Sequence, residues 1–137
     1  MKFEIDNAPV ESDIKEILDQ LIRFNRDYLE IDKREPLAVW CKDDDGRKIG
    51  GITGVTFGKW LEIKYLWVEQ AQRGSRIGTE LLKKIESAGK TRGCRYILLD
   101  TFEFQAKPFY EKNGFENVLT IDEYPLAGKR HYLVKKC

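Results

Sequence analysis

What this chain lacks narrows its class before any motif is read. It has three cysteines, Cys41, Cys94 and Cys137, widely spaced and with no paired motif, which points to free thiols in a reducing compartment. With one histidine, His131, and no cysteine pairing, no metal site is readable, and no Ser-His-Asp arrangement can be argued. No apolar run approaches ~18 residues, so no segment is expected to span a bilayer as a helix. The opening residues Met1 to Asp6 alternate like a strand and carry acids, unlike a secretory leader. An excess of charge of one sign is also missing: Lys and Arg number 24 and Asp and Glu 23. A formal net charge of +1 argues against a dedicated nucleic-acid binder or membrane-surface protein. There are no internal repeats, low-complexity tracts or linkers. A cytoplasmic location is the expectation.

What is present is ordinary for a globular chain: 137 residues, 42% hydrophobic and 34% charged. One domain over residues 1–137 is expected, large enough to bury roughly two thirds of its unfolded surface without a disulfide or metal.

Taken in order, residues 2–5 read as a short strand. Ser12 reads as the N-cap of a long amphipathic helix, with Ile14, Ile17, Leu18, Leu21, Ile22, Tyr28 and Leu29 at helical spacing to about Glu30 and a break near Asn25. Leu37 to Cys41 and Ile49 to Phe57 form a hairpin across Asp43-Asp44-Asp45-Gly46. The three aspartates lack the later ligands and terminal Glu of a calcium loop, so they read as a solvated turn. Gly50, Gly51, Gly54 and Gly58 weaken this region and predict a bulge or a close approach. Trp60 to Val68 is a strong strand, with Leu61, Ile63, Tyr65 and Trp67 expected on one face. Its apolar end, Tyr65 to Val68, predicts cover on both faces.

A helix from Ile77 to about Lys90 follows, closed by Gly93. Arg95 to Thr101 is a short strand, Gln105 to Lys112 a second short helix, and Phe115 to Ile121 and Arg130 to Lys135 two last strands around the loop Asp122 to Lys129. The whole is mixed α/β (α+β).

Between the strand ending at Val68 and the helix beginning at Ile77 lies Arg73-Gly74-Ser75-Arg76. Such a turn aims backbone N–H groups and the positive end of a helix dipole at one point, which suits a phosphate or pyrophosphate. The alternative is a plain connection with its arginines in solvent. An interaction module using Arg73, Arg76, Lys83 and Lys84 on phosphate or nucleic acid is a further alternative, opposed by the near-neutral charge.

Element order and motifs together resemble the GNAT superfamily of acyl-CoA N-acetyltransferases over nearly the whole chain. The superfamily signature, Arg or Gln, two variable residues, Gly, one variable residue, then Gly or Ala, aligns with Arg73-Gly74-Ser75-Arg76-Ile77-Gly78. Arg76 stands where the signature has its first Gly. Phe109-Tyr110-Glu111-Lys112-Asn113-Gly114-Phe115 is similar to the family's Phe-Tyr-x-x-x-Gly-Phe, and Leu98 to Ala106 resembles a bacterial subgroup of small acetyltransferases.

The resemblance implies the GNAT fold, with a mixed central sheet of about six to seven strands and helices on both faces. It implies acetyl-CoA as cosubstrate, no metal, and direct transfer to a primary amine of a small molecule or of a peptide or protein lysine. It implies no nucleic acid and no membrane partner, with a homodimer as a family-level expectation. Cofactor contacts would come from Leu66, Trp67 and Val68 along the pantetheine arm, and from Arg73, Gly74, Ser75, Arg76, Ile77, Gly78 and Thr79 at the pyrophosphate. A backbone N–H near Val68 would polarise the thioester carbonyl. Tyr110 takes the place of the general acid. Glu62 is the candidate base, with a water relay as its rival. His131 and the Asp122, Glu123 and Tyr124 segment are weaker candidates for an acceptor pocket. A non-catalytic acyl-CoA-binding module is the competing reading.

Overall fold

The computed structural model describes residues 1–31, 33–104 and 106–137. They form two compact units, residues 1–32 and 33–137.

The first unit holds one helix, α1 (Glu11–Arg26). Extended Val10 precedes it, not the expected Ser12, and no side chain caps its first turn. Glu11 and Asp13 near its start and Arg23 and Arg26 near its end complement the helix dipole. It stops at Arg26, short of Glu30, where the N–H groups of Tyr28 and Leu29 share the carbonyl of Asn25 as acceptor. Residues 2–5 carry no strand: alternation alone does not make one where no neighbouring strand completes the ladder.

The second unit is a six-stranded mixed sheet in the order β1-β2-β3-β4-β6-β5. In chain order these are β1 (Glu35–Lys42), β2 (Lys48–Phe57), β3 (Trp60–Val68), α2 (Ile77–Thr91), β4 (Tyr96–Phe102), α3 (Lys107–Lys112), β5 (Glu116–Asp122) and β6 (Lys129–Lys136). β1, β2 and β3 form an antiparallel meander. β4 joins β3 in parallel through the α2 crossover, and β6 inserts antiparallel between β4 and β5.

One sheet face carries the core: Ile52, Leu61, Ile97, Leu99 and Leu133 lie beneath Leu81, Leu82 and Ile85 of α2. Each such side chain contributes roughly 1.5–3 kcal/mol when fully buried. α3 lies on the same face, with Phe109 against Gly78 of α2 and Lys135 of β6 paired to Glu86 of α2 at 2.9 Å. Cys94 is a small buried core residue, as its apolar surroundings suggest, and burial pushes its thiol up. No helix among the described residues is long and apolar enough to cross a membrane.

Candidate active site

The site begins with a defect in β3. Thr53 of β2 pairs with Tyr65, but Gly54 pairs with Ile63, so Lys64 is an extra residue in the ladder. A bulge of this kind bends the strand and increases its local twist. It also reverses which side chains face the core. Leu61 and Ile63 point inward before it, Leu66 and Val68 after it. The straight alternation expected for this strand therefore fails at Tyr65 and Trp67, which are 76% and 52% exposed. Cover on both faces of the strand end fails with it.

The bent strand then parts from its parallel neighbour. β3 and β4 pair only through Trp60–Tyr96, Leu61–Ile97 and Glu62–Leu98. β4 continues to Phe102 along β6, and β3 continues to Val68 along β2. From Ile63 onward, β3 has no β4 ladder partner among the described residues, and its edge opens into a cleft of about 1080 Å³.

One end of the cleft is the start of α2. A 3-10 turn over Gln70–Gln72 follows β3. Arg73 Nε then donates to the Val68 carbonyl at 3.2 Å, tying the turn to the strand end. Gly74 (φ +89°) and Arg76 (φ +68°) are both left-handed, which steers the chain sharply into the helix. Arg76 stands at the N-cap but provides no side-chain cap, and the first backbone bond into the helix runs from Glu80 N to the Arg76 carbonyl at 3.1 Å. The amides of Ile77, Gly78 and Thr79 are thus uncapped at the positive end of a fifteen-residue helix, and these residues line the cleft. That is the geometry of an anion site.

The far wall carries Tyr110, 7% exposed, held edge-on between Phe109 at 5.3 Å and Phe115 at 5.6 Å. Burial first, and the nearby Asp100 charge second, push its phenol up to about 12. It is therefore a protonated O–H at neutral pH, able to donate and not to accept a proton.

Residues 5–115 match the model of the acetyltransferase (GNAT) family. This chain belongs to the GNAT acetyltransferase family. It is accordingly an acyltransferase. A blasticidin-S acetyltransferase of Streptomyces morookaense is 31% identical over 103 residues, 74% of this chain and 76% of that one. An acetyltransferase of solved structure from Bacillus cereus is 31% identical and superposes over 98% of each chain with a TM-score of 0.88. An aminoglycoside 6'-N-acetyltransferase complexed with coenzyme A shares the fold, at a TM-score of 0.68 and 21% identity over 98% of this chain and 95% of that one.

Within the acetyltransferase, ten of the twelve residues expected from sequence line the one cleft: Leu66, Trp67, Val68, Arg73, Gly74, Arg76, Ile77, Gly78, Thr79 and Tyr110. Two do not. Ser75 turns its hydroxyl back to donate to the Gln72 carbonyl. Glu62 sits on the last β3–β4 rung, outside the lining, and its carboxylate meets Lys64 at 2.8 Å and Arg34 at 3.8 Å.

The lining also includes Tyr65, Asp100, Phe102 and Phe104, which sequence reasoning passed over. A usable signal existed: crevices in open α/β sheets form outside the carboxyl ends of parallel strands, and β4 ends there beside β3.

The weaker candidates lie elsewhere. His131 is 3% exposed, with Nδ1 against Thr120 Oγ1 at 2.9 Å and Nε2 against Glu103 Oε2 at 2.5 Å. Asp122 pairs with Lys129 at 3.1 Å, and Tyr124 accepts from Arg130 at 2.8 Å. Neither these three candidates nor Glu123 lines the cleft.

Proposed function

We propose that this acetyltransferase binds acetyl-CoA in the β3–β4 cleft and passes the acetyl group directly to a primary amine within a ternary complex. The observation that carries the proposal is the end of the β3–β4 ladder at Glu62–Leu98, which opens a single cleft between the uncapped start of α2 and Tyr110. The coenzyme A complex of a protein of the same fold supports the choice of donor. The match of residues 5–115 to one family model supports treating residues 1–137 as one acetyltransferase domain, across both compact units.

Acetyl-CoA supplies an activated acyl thioester; the protein supplies position and protons. The first-turn amides of α2, with Arg76 beside them, hold the pyrophosphate. Thr79 adds a hydroxyl. Leu66, Trp67 and Val68 present the β3 backbone edge to the pantetheine arm, and an amide near Val68 polarises the acyl carbonyl. The amine nitrogen bonds to the acyl carbon as the carbon–sulfur bond breaks. Tyr110 gives its proton to the departing sulfur. Glu62, outside the lining, takes the amine's proton through water and not by direct contact.

Small-molecule amines are the favoured acceptors. The blasticidin-S acetyltransferase is named for a small molecule, and it aligns over three quarters of this chain. Free thiols at Cys41, Cys94 and Cys137 are consistent with work in the cytoplasm.

The test is calorimetric titration with acetyl-CoA, followed by thiol release across a panel of primary amines. Saturable binding and amine-dependent release are expected. Absence of acetyl-CoA binding in a folded sample overturns the proposal.

A further inference from the structure

The face of the cleft turned away from α2 is built from aromatic rings. The extra residue Lys64 turns Tyr65 and Trp67 to the side opposite Leu66 and Val68, which pack on the core. Across the opening, Phe102 and Phe104 stack at 5.4 Å with their planes 6° apart, and Phe104 is 82% exposed. All four rings line the cleft. Tyr65, Trp67 and Phe104 are left exposed there, with Phe102 half-buried beneath Phe104, and exposed rings in a concave site mark a ligand surface, because water gains nothing from them and a flat apolar ligand does.

The charges at this face are already matched. Asp100 is the one carboxylate lining the cleft among the described residues, and Arg130 holds it through Nε and Nη2, each at 2.8 Å. Lys64 is held by Glu62 at 2.8 Å. Among the described residues lining the cleft no unpaired acid is left to meet several positive charges, so a polycationic acceptor lacks a counterpart in that lining. A single ammonium on a ring does: its flat body stacks on the aromatic walls, and its charge is lost as it becomes an amide.

We infer that the acceptor is a monoamine carried on a flat aromatic body, seated between Tyr65 and Trp67 on one side and Phe102 and Phe104 on the other. Trp67 thereby serves twice, its backbone toward the donor and its ring toward the acceptor. The inference rests on the acetyl-CoA reading of the same cleft and names the acceptor class for it.

The experiment compares tyramine and benzylamine with cyclohexylmethylamine and spermidine in the thiol-release assay, for the wild type, Tyr65→Ala and Phe104→Ala. These two side chains are exposed, so the variants should fold, which far-ultraviolet circular dichroism verifies. The expected kcat/KM is highest for the aromatic amines. Each alanine variant should lower it roughly 3- to 10-fold, the scale of one ring–ring contact, while leaving acetyl-CoA affinity unchanged. Spermidine or cyclohexylmethylamine matching the aromatic amines overturns the inference, as do variants that keep wild-type selectivity. Acetyl-CoA binding with no turnover of any aromatic amine overturns the acceptor class alone and leaves the donor site standing. Should acetyl-CoA fail to bind, the donor reading falls, and the ring seat is read separately by saturation-transfer NMR. Transfer to tyramine ring protons that is lost in Tyr65→Ala supports the seat, and absent or unaltered transfer overturns it.

Discussion

A Cβ placed on Gly54 would stand 2.6 Å from the carbonyl oxygen of Glu62. Glu62 makes the last rung between β3 and β4, and the extra residue Lys64 lies two positions on. The close approach of Gly54 therefore sits where β3 bulges and the cleft begins. The obstacle is backbone, not a side chain that can swing aside. Gly54→Ala should cost about 1–3 kcal/mol, the usual scale of overpacking, and should weaken acetyl-CoA binding as the strand is displaced. Thermal melting and calorimetry measure the two effects. An unchanged melting temperature would show that the strand has room to spare.

Arg76 occupies a left-handed position where the family signature has glycine. A non-glycine residue held there costs about 1–2 kcal/mol, partly offset by the greater unfolded-state freedom of glycine. Arg76→Gly should raise stability by roughly 0.5–1 kcal/mol, whereas Arg76→Ala keeps the strain and should not. Both remove the charge, so both should weaken acetyl-CoA binding alike. Denaturant melts of the two variants separate strain from charge, and equal stability in both would refute the strain argument.

Gly78 has room for a small side chain. A Cβ there meets Phe109 Cζ at 3.4 Å, an ordinary contact. Gly78→Ala should fold and bind acetyl-CoA close to wild type. Gly78→Glu places a carboxylate at the uncapped amides that the pyrophosphate needs. It should melt no lower than the alanine variant, since an acid in a first helical turn is favourable. Its acetyl-CoA affinity should fall about tenfold or more, ~1.4 kcal/mol at the least. Unaltered affinity in Gly78→Glu would move the pyrophosphate site elsewhere.

Tyr110 gives a kinetic and an alkaline prediction. Tyr110→Phe should lower kcat by about 10²- to 10⁴-fold, the usual scale for losing a positioned proton donor, with little change in acetyl-CoA affinity. Equal turnover would return Tyr110 to a packing role. The phenol titrates near 10 when unfolded and is pushed up to about 12 in the fold. Its protonated form thus favours the native state fully below pH 10, and that advantage is lost as pH rises from 10 to 12. The loss amounts to about 3 kcal/mol for a shift of this size. Denaturation followed over that range should show a shallower decline in Tyr110→Phe than in the wild type.

Much of the cleft's lining is legible in short stretches of the sequence. The Arg73 to Gly78 turn, the Phe109 to Phe115 segment and the strand between them carry signals that are local in the chain. Glycines, an N-terminal helical turn and an aromatic pair need only their near neighbours to be read. The strand at residues 2–5 and the cap at Ser12 failed for the converse reason. Each rested on a local pattern that its surroundings did not complete: among the described residues no strand partners residues 2–5, and Val10 opens the helix before Ser12 is reached.

Local periodicity was enough for the order of the elements from β1 to β6, and the resemblance of two short motifs to the GNAT family pointed to ten residues that line the cleft. Pairing between distant strands was needed to fix which way Tyr65 and Trp67 point, that Glu62 stands outside the cleft while Asp100 and Phe104 line it, and that Arg76 is left-handed. The physical reason is one of range. A bulge at Lys64 is a mismatch of count between two paired strands. The cleft is the divergence of two strands, β3 and β4, with the whole of α2 between them in the chain. Neither exists until distant residues pair.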